Sequence, residues 1–298
     1  DYLVDIEERY SETARVTSPT PWDIINELMQ GGLGAGELGV VVAPAGIGKS
    51  WVLSAMGAYA ISQGLNVVHY TLELNEAYVG LRYDSIFTGV ESQNLKYHKE
   101  EVMEKLYDLK GSLTIKYYPT KACTVNTLSA HLKKVTTFGT KVDMVLVDYA
   151  DIMKDVGKAQ EMRHALGNIY EDLRGMAGEM QIPIWTASQA NRSALDEDVI
   201  EASKVAESYT KVMTADFVIS LSRKIEDKIG NTGRFHIIKN RFGPDGLTYP
   251  AKINTNIGKI EIFEANSVQG KGVQHKINNR DNQTKAILSA RYEDLMSD

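Results

Sequence analysis

The stretch LGVVVAPAGIGKSWVLSAMGAYAISQ, residues 38 to 63, constrains this chain more than any other. A β-rich apolar run enters a glycine-bearing loop closed by Gly48, Lys49 and Ser50, and a long apolar helical stretch follows. In that order, successive loop N–H groups can wrap a phosphate while the helix N-terminus faces it. Ala45, Gly46, Ile47, Gly48, Lys49 and Ser50 are expected to form the cradle, with Lys49 reaching the β- and γ-phosphates of a nucleotide and the Ser50 hydroxyl ligating Mg²⁺. Ala43 stands where the usual pattern opens with glycine, while Gly46 and Gly48 keep the backbone permissive where the turn needs it. A glycine turn with an incidental lysine is the plain alternative, and the flanking strand and helix weigh against it.

The same alternation continues along the chain. NVVHYTLE, a long helical region, LTIKYY, DMVLVD, a helix around Leu166 to Met180, IPIWTAS and DFVISLS follow one another. This predicts an α/β fold with a mostly parallel central sheet flanked by helices. After Arg223 the pattern becomes FHIIKNR, a FGPDG turn and GKIEIFE, which reads as antiparallel strands added at the sheet edge.

At the start, Leu3, Ile6 and Tyr10 fall at helical spacing, so residues 1–20 read as a linker helix and strap. Thr20 and Pro21 are expected to open a helix through WDIINELMQ. Residues 21–264 form the main domain on this reading, and 265–298 a polar, flexible tail with one short helix in TKAILSARYEDLM. The chain opens at Asp1 rather than Met, which suggests a processed or partial N-terminus with room for a preceding domain.

With 298 residues and 43% hydrophobic content the chain can bury a full core, and no apolar run approaches a membrane span. The single Cys123 permits no internal disulfide, so a reducing cytoplasm is expected. A net charge of -6 excludes a generally basic nucleic-acid coat while leaving room for a local basic channel.

Strand ends supply the remaining candidates. Asp148 closes DMVLVD, where an acid can hold Mg²⁺ through water beside the loop. Glu73 closes VVHYTLE and can polarise an attacking water, with Glu76 competing for the role. Gln189 follows IPIWTAS and can donate to a γ-phosphate while accepting from a neighbour, or simply cap its strand. In IIKNRFGPDG, Lys239 and Arg241 are two apart and share a strand face, which calls for a negative partner unless both are solvated edge charges.

Taken together, APAGIGKS, TLEL, VLVDYADIM, TASQANRS, TADFVISLSR and IIKNRFGPDG resemble, in this order, the RecA-like motor domain of the DnaB family of replicative helicases, a resemblance running from about Gly31 to Glu264. DYLVDIEERY, KYYPT and WTASQ look most like its members from T-even phages. The resemblance implies a RecA-like P-loop NTPase in a homo-hexamer ring that moves 5′ to 3′ on single-stranded DNA. It makes Arg241 an arginine finger acting on a neighbour's ATP and Lys239 its companion. It also implies that Lys154, Lys158 and Arg192 meet DNA, although Asp196, Glu197 and Asp198 leave that second loop acidic. Leu3, Ile6 and Tyr10 would pack on the adjoining subunit, and a primase and a helicase loader are the implied partners. No counterpart of the family's N-terminal domain is visible, and the tail has none in the motif set. Two rivals share part of this pattern: a strand-exchange or clock-type RecA-like ATPase, which would pair DNA without unwinding a fork, and a nucleotide-gated assembly module without motor activity.

Overall fold

The computed structural model describes residues 15–157, 159, 161–205 and 209–279. The helix expected to carry Leu3, Ile6 and Tyr10, the one expected in TKAILSARYEDLM, and Lys158 lie outside these residues. The strands are β1 (Thr17–Ser18), β2 (Leu33–Gly34), β3 (Leu38–Ala43), β4 (Val67–Thr71), β5 (Leu113–Tyr117), β6 (Met144–Asp148), β7 (Ile184–Gln189), β8 (Phe217–Ser222), β9 (Thr232–Asn240), β10 (Thr248–Asn254) and β11 (Lys259–Ile262). β1 and β2 form a small antiparallel pair. The others make one sheet in the order β11-β10-β9-β8-β3-β7-β6-β4-β5.

From β8 to β5 the strands run parallel, and β9 to β11 add antiparallel neighbours at one edge, as the change of pattern after Arg223 predicts. Every residue of β3, β4, β6 and β8 is buried, the mark of strands covered on both faces. Alternate residues serve the two faces. Val40, Val42, Val145 and Val147 pack with Leu166, Ile169 and Leu173 of the helix Met162–Met180. Val41, Ala43, Met144 and Leu146 pack instead with Val52, Leu53 and Met56 of the helix Lys49–Ser62. Gly39 is required in β3 because a Cβ there would lie 2.4 Å from the ring of Trp185.

Local differences from expectation have local causes. The first helix spans Asp23–Leu28 with Trp22 at its N-cap, because the Thr20 amide and hydroxyl are engaged by the Asn26 side chain, at 2.7 and 2.8 Å. A helix over Val125–Thr137, not anticipated, is opened by a reciprocal Thr124–Thr127 capping box. β10 was hidden by Pro250, which cannot donate to the ladder yet accepts from Phe263 N at 3.0 Å. The segment after Asn266, expected as a polar tail, is helical over 268–279 and buries Val273 and Ile277. Among the described residues no helix is long and apolar enough to cross a membrane.

Candidate nucleotide-binding site

Register brings the predicted chemistry to one end of the sheet. Ala43 lies level with Gln189 across β3 and β7, and Thr71 level with Asp148 across β4 and β6. The carboxyl ends of these strands therefore open on one cleft of about 340 Å³. Its walls include Ala45, Gly46, Gly48, Lys49, Ser50, Glu73 and Gln189. Gly46 and Gly48 adopt φ of 71° and 123°, which side-chain-bearing residues rarely do. The helix Lys49–Ser62 starts without a side-chain cap, leaving its first amides available to an anion.

Lys49 Nζ donates to the carbonyls of Ala43 and Pro44 at 3.2 and 3.3 Å. Burial lowers its pKa, and Asp148, Glu73 and Asp151 oppose that shift. Asp148 is 1% exposed, and its Oδ1 has no hydrogen-bond partner. Burial raises its pKa against the Ser50 hydroxyl, Arg82 and Lys49, while Glu73 adds to the rise. A buried carboxylate oxygen left unpaired beside a hydroxyl is a donor set that fits Mg²⁺, a hard cation that keeps waters and takes its other ligands from phosphates.

Glu73 lines the cleft, whereas the Glu76 carboxylate accepts from the Tyr117 amide at 3.0 Å and is absent from the cleft walls. Gln189 faces the cleft from the end of β7, and its backbone N–H donates to Asp151 Oδ2 at 2.9 Å. Asp151 also accepts from Tyr170 Oη at 2.7 Å and pairs with the buried Lys211 at 2.9 Å. Ile47 is buried beneath the loop, and its carbonyl accepts from Arg223 Nη1 at 3.5 Å.

Sequence reasoning missed Arg82 and Arg223. Arg82 sits over the Trp51 ring at 5.2 Å, lines the cleft, and leaves Nη1 buried without a partner. Its signal was available: Arg82 follows the buried Val79 by three positions in the helix Glu76–Thr88, so it shares the inward stripe. Arg223, 5% exposed, donates to Thr232 O and Ile253 O at 3.0 and 3.2 Å and so ties the antiparallel edge to the loop.

Lys239 and Arg241 lie outside this cleft. Both reach the carbonyl of Met213, so they converge as their spacing predicts, although β9 ends at Asn240 and carries an irregularity opposite Val218 and Ile219. Lys239 Nζ also donates to Val212 O at 2.9 Å. The negative group that Arg241 meets within its own chain is Asp216, at 2.8 Å.

Lys154 and Arg192 are exposed on the loops after β6 and β7. The acidity of the second loop is partly neutralised at home. Asp198 pairs with Lys224 and Arg234, each at 2.9 Å, and Glu197 with Lys204 at 2.8 Å.

Residues 19–257 match the model of the DnaB-like helicase C-terminal domain family. A DnaB-like replicative helicase of Enterobacteria phage T4 is 27% identical over 257 residues, covering 82% of this chain and 54% of that protein. The replicative DNA helicase DnaB of Helicobacter pylori is 24% identical over 172 residues, covering 56% of this chain and 35% of that protein. The chain thus spans about half the length, or less, of these relatives. Among solved structures, one described as an ATPase domain superposes with a TM-score of 0.74 at 17% identity, covering 88% of this chain and 98% of that one. A DnaB-like replicative helicase described with its interactions with primase superposes at 0.75 and 17% identity, covering 89% and 68%. At such identity these structures bear on fold alone, and the fold they share is the α/β, RecA-like one.

Proposed function

This chain belongs to the DnaB-like helicase C-terminal domain family, and we propose that it is the ATP-hydrolysing motor of a hexameric replicative helicase that moves 5′ to 3′ along single-stranded DNA. The observation that carries this reading is the convergence of Lys49, Ser50, Glu73 and Gln189 on one cleft, with the buried Asp148 beneath Ser50's side of it. A scaffold that only binds nucleotide needs no acid placed to activate water.

In this reading the loop amides and Lys49 bind the phosphates. Ser50 and Asp148 would hold Mg²⁺, Asp148 through water, and the ion would supply positive charge against the phosphates. Glu73 takes the proton of the water that attacks the γ-phosphorus as the bond to the departing ADP oxygen breaks. Gln189 senses whether the γ-phosphate is present. Arg241, with Lys239 beside it, stabilises the transition state on the adjoining subunit. Lys154, Lys158 and Arg192 contribute phosphate contacts that hold any DNA sequence. A primase is the first partner to test, given the interaction described for the solved neighbour.

The test is ATP turnover with and without single-stranded DNA for the parent, Lys49→Ala, Arg241→Ala and their mixture. Each variant alone is expected to be nearly inactive. Mixed rings are expected to regain turnover wherever an intact loop meets an intact finger. Absence of DNA stimulation, or of recovery while subunits demonstrably mix, removes the motor or the shared site respectively.

A further inference from the structure

Asp216 has no part in the chemistry above, yet it is the buried carboxylate on which the cations around Arg241 converge. It precedes β8 and is 3% exposed. Leu38 N donates to its Oδ2 at 2.9 Å, Arg174 donates from Nε at 3.1 Å and from Nη2 at 2.9 Å, and Arg241 donates from Nη1 at 2.8 Å. The Arg241 amide closes the arrangement by donating to the Asp216 carbonyl at 3.0 Å. The acid is held on the rigid side by the strand that leads to the phosphate loop and on the other by the fork of Arg174. Arg241 hangs from this fixed point, with its side chain 43% exposed against 4% for Asp216.

The exposed part of the guanidinium is still free to act. Among the described residues Arg241 Nε has no partner, and Nη2 has only the Met213 carbonyl at 3.3 Å. Beside it lies an open depression floored by Gly36, Gly175 and Gly178, and a Cβ at 175 or 178 would meet nothing within 4 Å. Without the carboxylate, Arg174, Lys239 and Arg241 would be three like charges in one place. Lys239 already registers them: after burial, Arg241 lowers its pKa most, Asp216 opposes, and Arg174 lowers it further.

We propose that Asp216 is the positioning residue of the arginine finger: its locked carboxylate fixes the Arg241 guanidinium so that the unbonded N–H groups face the γ-phosphate held by the neighbouring subunit. This rests on the reading of Arg241 as a finger acting between subunits. A long side chain released from such an anchor samples many rotamers, and a displacement of about 1 Å can cost on the order of a hundredfold in rate.

Subunit mixing tests it, because a positioning role must follow the finger's side of each interface. Asp216→Asn alone is expected to lose at least about tenfold in DNA-stimulated turnover while keeping affinity for a fluorescent ATP analogue within about twofold. Mixed with Lys49→Ala, whose finger is intact, it is expected to regain turnover. Mixed with Arg241→Ala, it is expected to regain none. Parent-like or higher turnover for Asp216→Asn overturns the proposal, the higher value meaning that the acid sequesters the finger. So does failure to recover with Lys49→Ala when Arg241→Ala and Lys49→Ala recover each other. If that control pair fails in demonstrably mixed rings, the shared site falls and this inference with it. Should Asp216→Asn not fold by circular dichroism, Asp216→Glu keeps the charge, displaces the guanidinium by one methylene and is expected to give the same mixing pattern.

Discussion

Two buried aspartates, Asp148 and Asp216, sit at similar depth and are treated in opposite ways. Asp148 has an oxygen without a partner, near a lysine that turns back to the Ala43 and Pro44 carbonyls and an arginine with an unpaired buried nitrogen. Asp216 is saturated by a backbone amide and two guanidinium groups. An isolated domain gains nothing from an unsatisfied carboxylate, so the first arrangement makes sense as a site waiting for a cation and phosphates. The second is complete without a ligand and makes sense as a support. The pair Asp151–Lys211 joins them: Asp151 accepts from the Gln189 backbone N–H on the cleft side, and Lys211 belongs to the helix Thr210–Thr214, whose carbonyls receive Lys239 and Arg241.

The sharpest way to break the contrast is Asp148→Asn. Turnover is expected to fall about 10²- to 10³-fold, yet the nucleotide-free protein should become more stable rather than less, read as an unfolding midpoint in urea. Burial holds the Asp148 pKa above its ordinary 3.8. Its contribution to stability is therefore fully present below 3.8 and lost as pH rises through the raised folded value. The gain from the asparagine should accordingly appear near about pH 7 and vanish below the ordinary carboxylate value. Equal destabilisation at both pH values would mean that Asp148 is a structural acid like Asp216.

The joining pair comes next. Lys211→Met leaves the part-buried Asp151, beside Tyr170 and Ser188, without its cation, and the loss is expected to be about 3 kcal/mol in unfolding free energy. The lysine is 1% exposed and the acid 11%, so solvent screens this pair little. A loss below about 1 kcal/mol would show that the hydrogen bonds to Asp151 suffice, and the two regions would then be mechanically independent. Asp216→Asn should destabilise by less, about 2 kcal/mol, because both arginines are substantially exposed and can rehydrate. Its sign, opposite to that of Asp148→Asn, is the direct measure of the contrast.

Much of the cleft was legible because its parts announce themselves locally: a loop between a strand and a helix, and polar residues at the ends of apolar runs. Arg82 needed the register of a helix whose inward stripe is set by Val79 and Tyr83. Asp216 gave no local signal at all, since its partners Arg174 and Arg241 lie 42 and 25 positions away and only the fold brings them together. β10 and the helix over 268–279 were obscured for simpler reasons. Pro250 breaks the first pattern, and in the second Gly270 and Gly272 precede a stripe of only Val273 and Ile277.

The smallest expected change belongs to Glu76, the rival that the sequence sets beside Glu73. Glu73 lines the cleft, whereas the Glu76 carboxylate is half exposed, accepts from Tyr117 N, and stands 3.9 Å from Lys116. Glu73→Gln should remove most turnover without weakening nucleotide binding, because the amide keeps the shape and loses the base. Glu76→Gln should leave turnover within about twofold and stability within about 1 kcal/mol, since an exposed pair adds little and the amide oxygen still accepts from Tyr117. If the two variants changed places, the base would have to come from the helix start rather than the strand end. The cleft would then have to rearrange on binding nucleotide before any water could be activated.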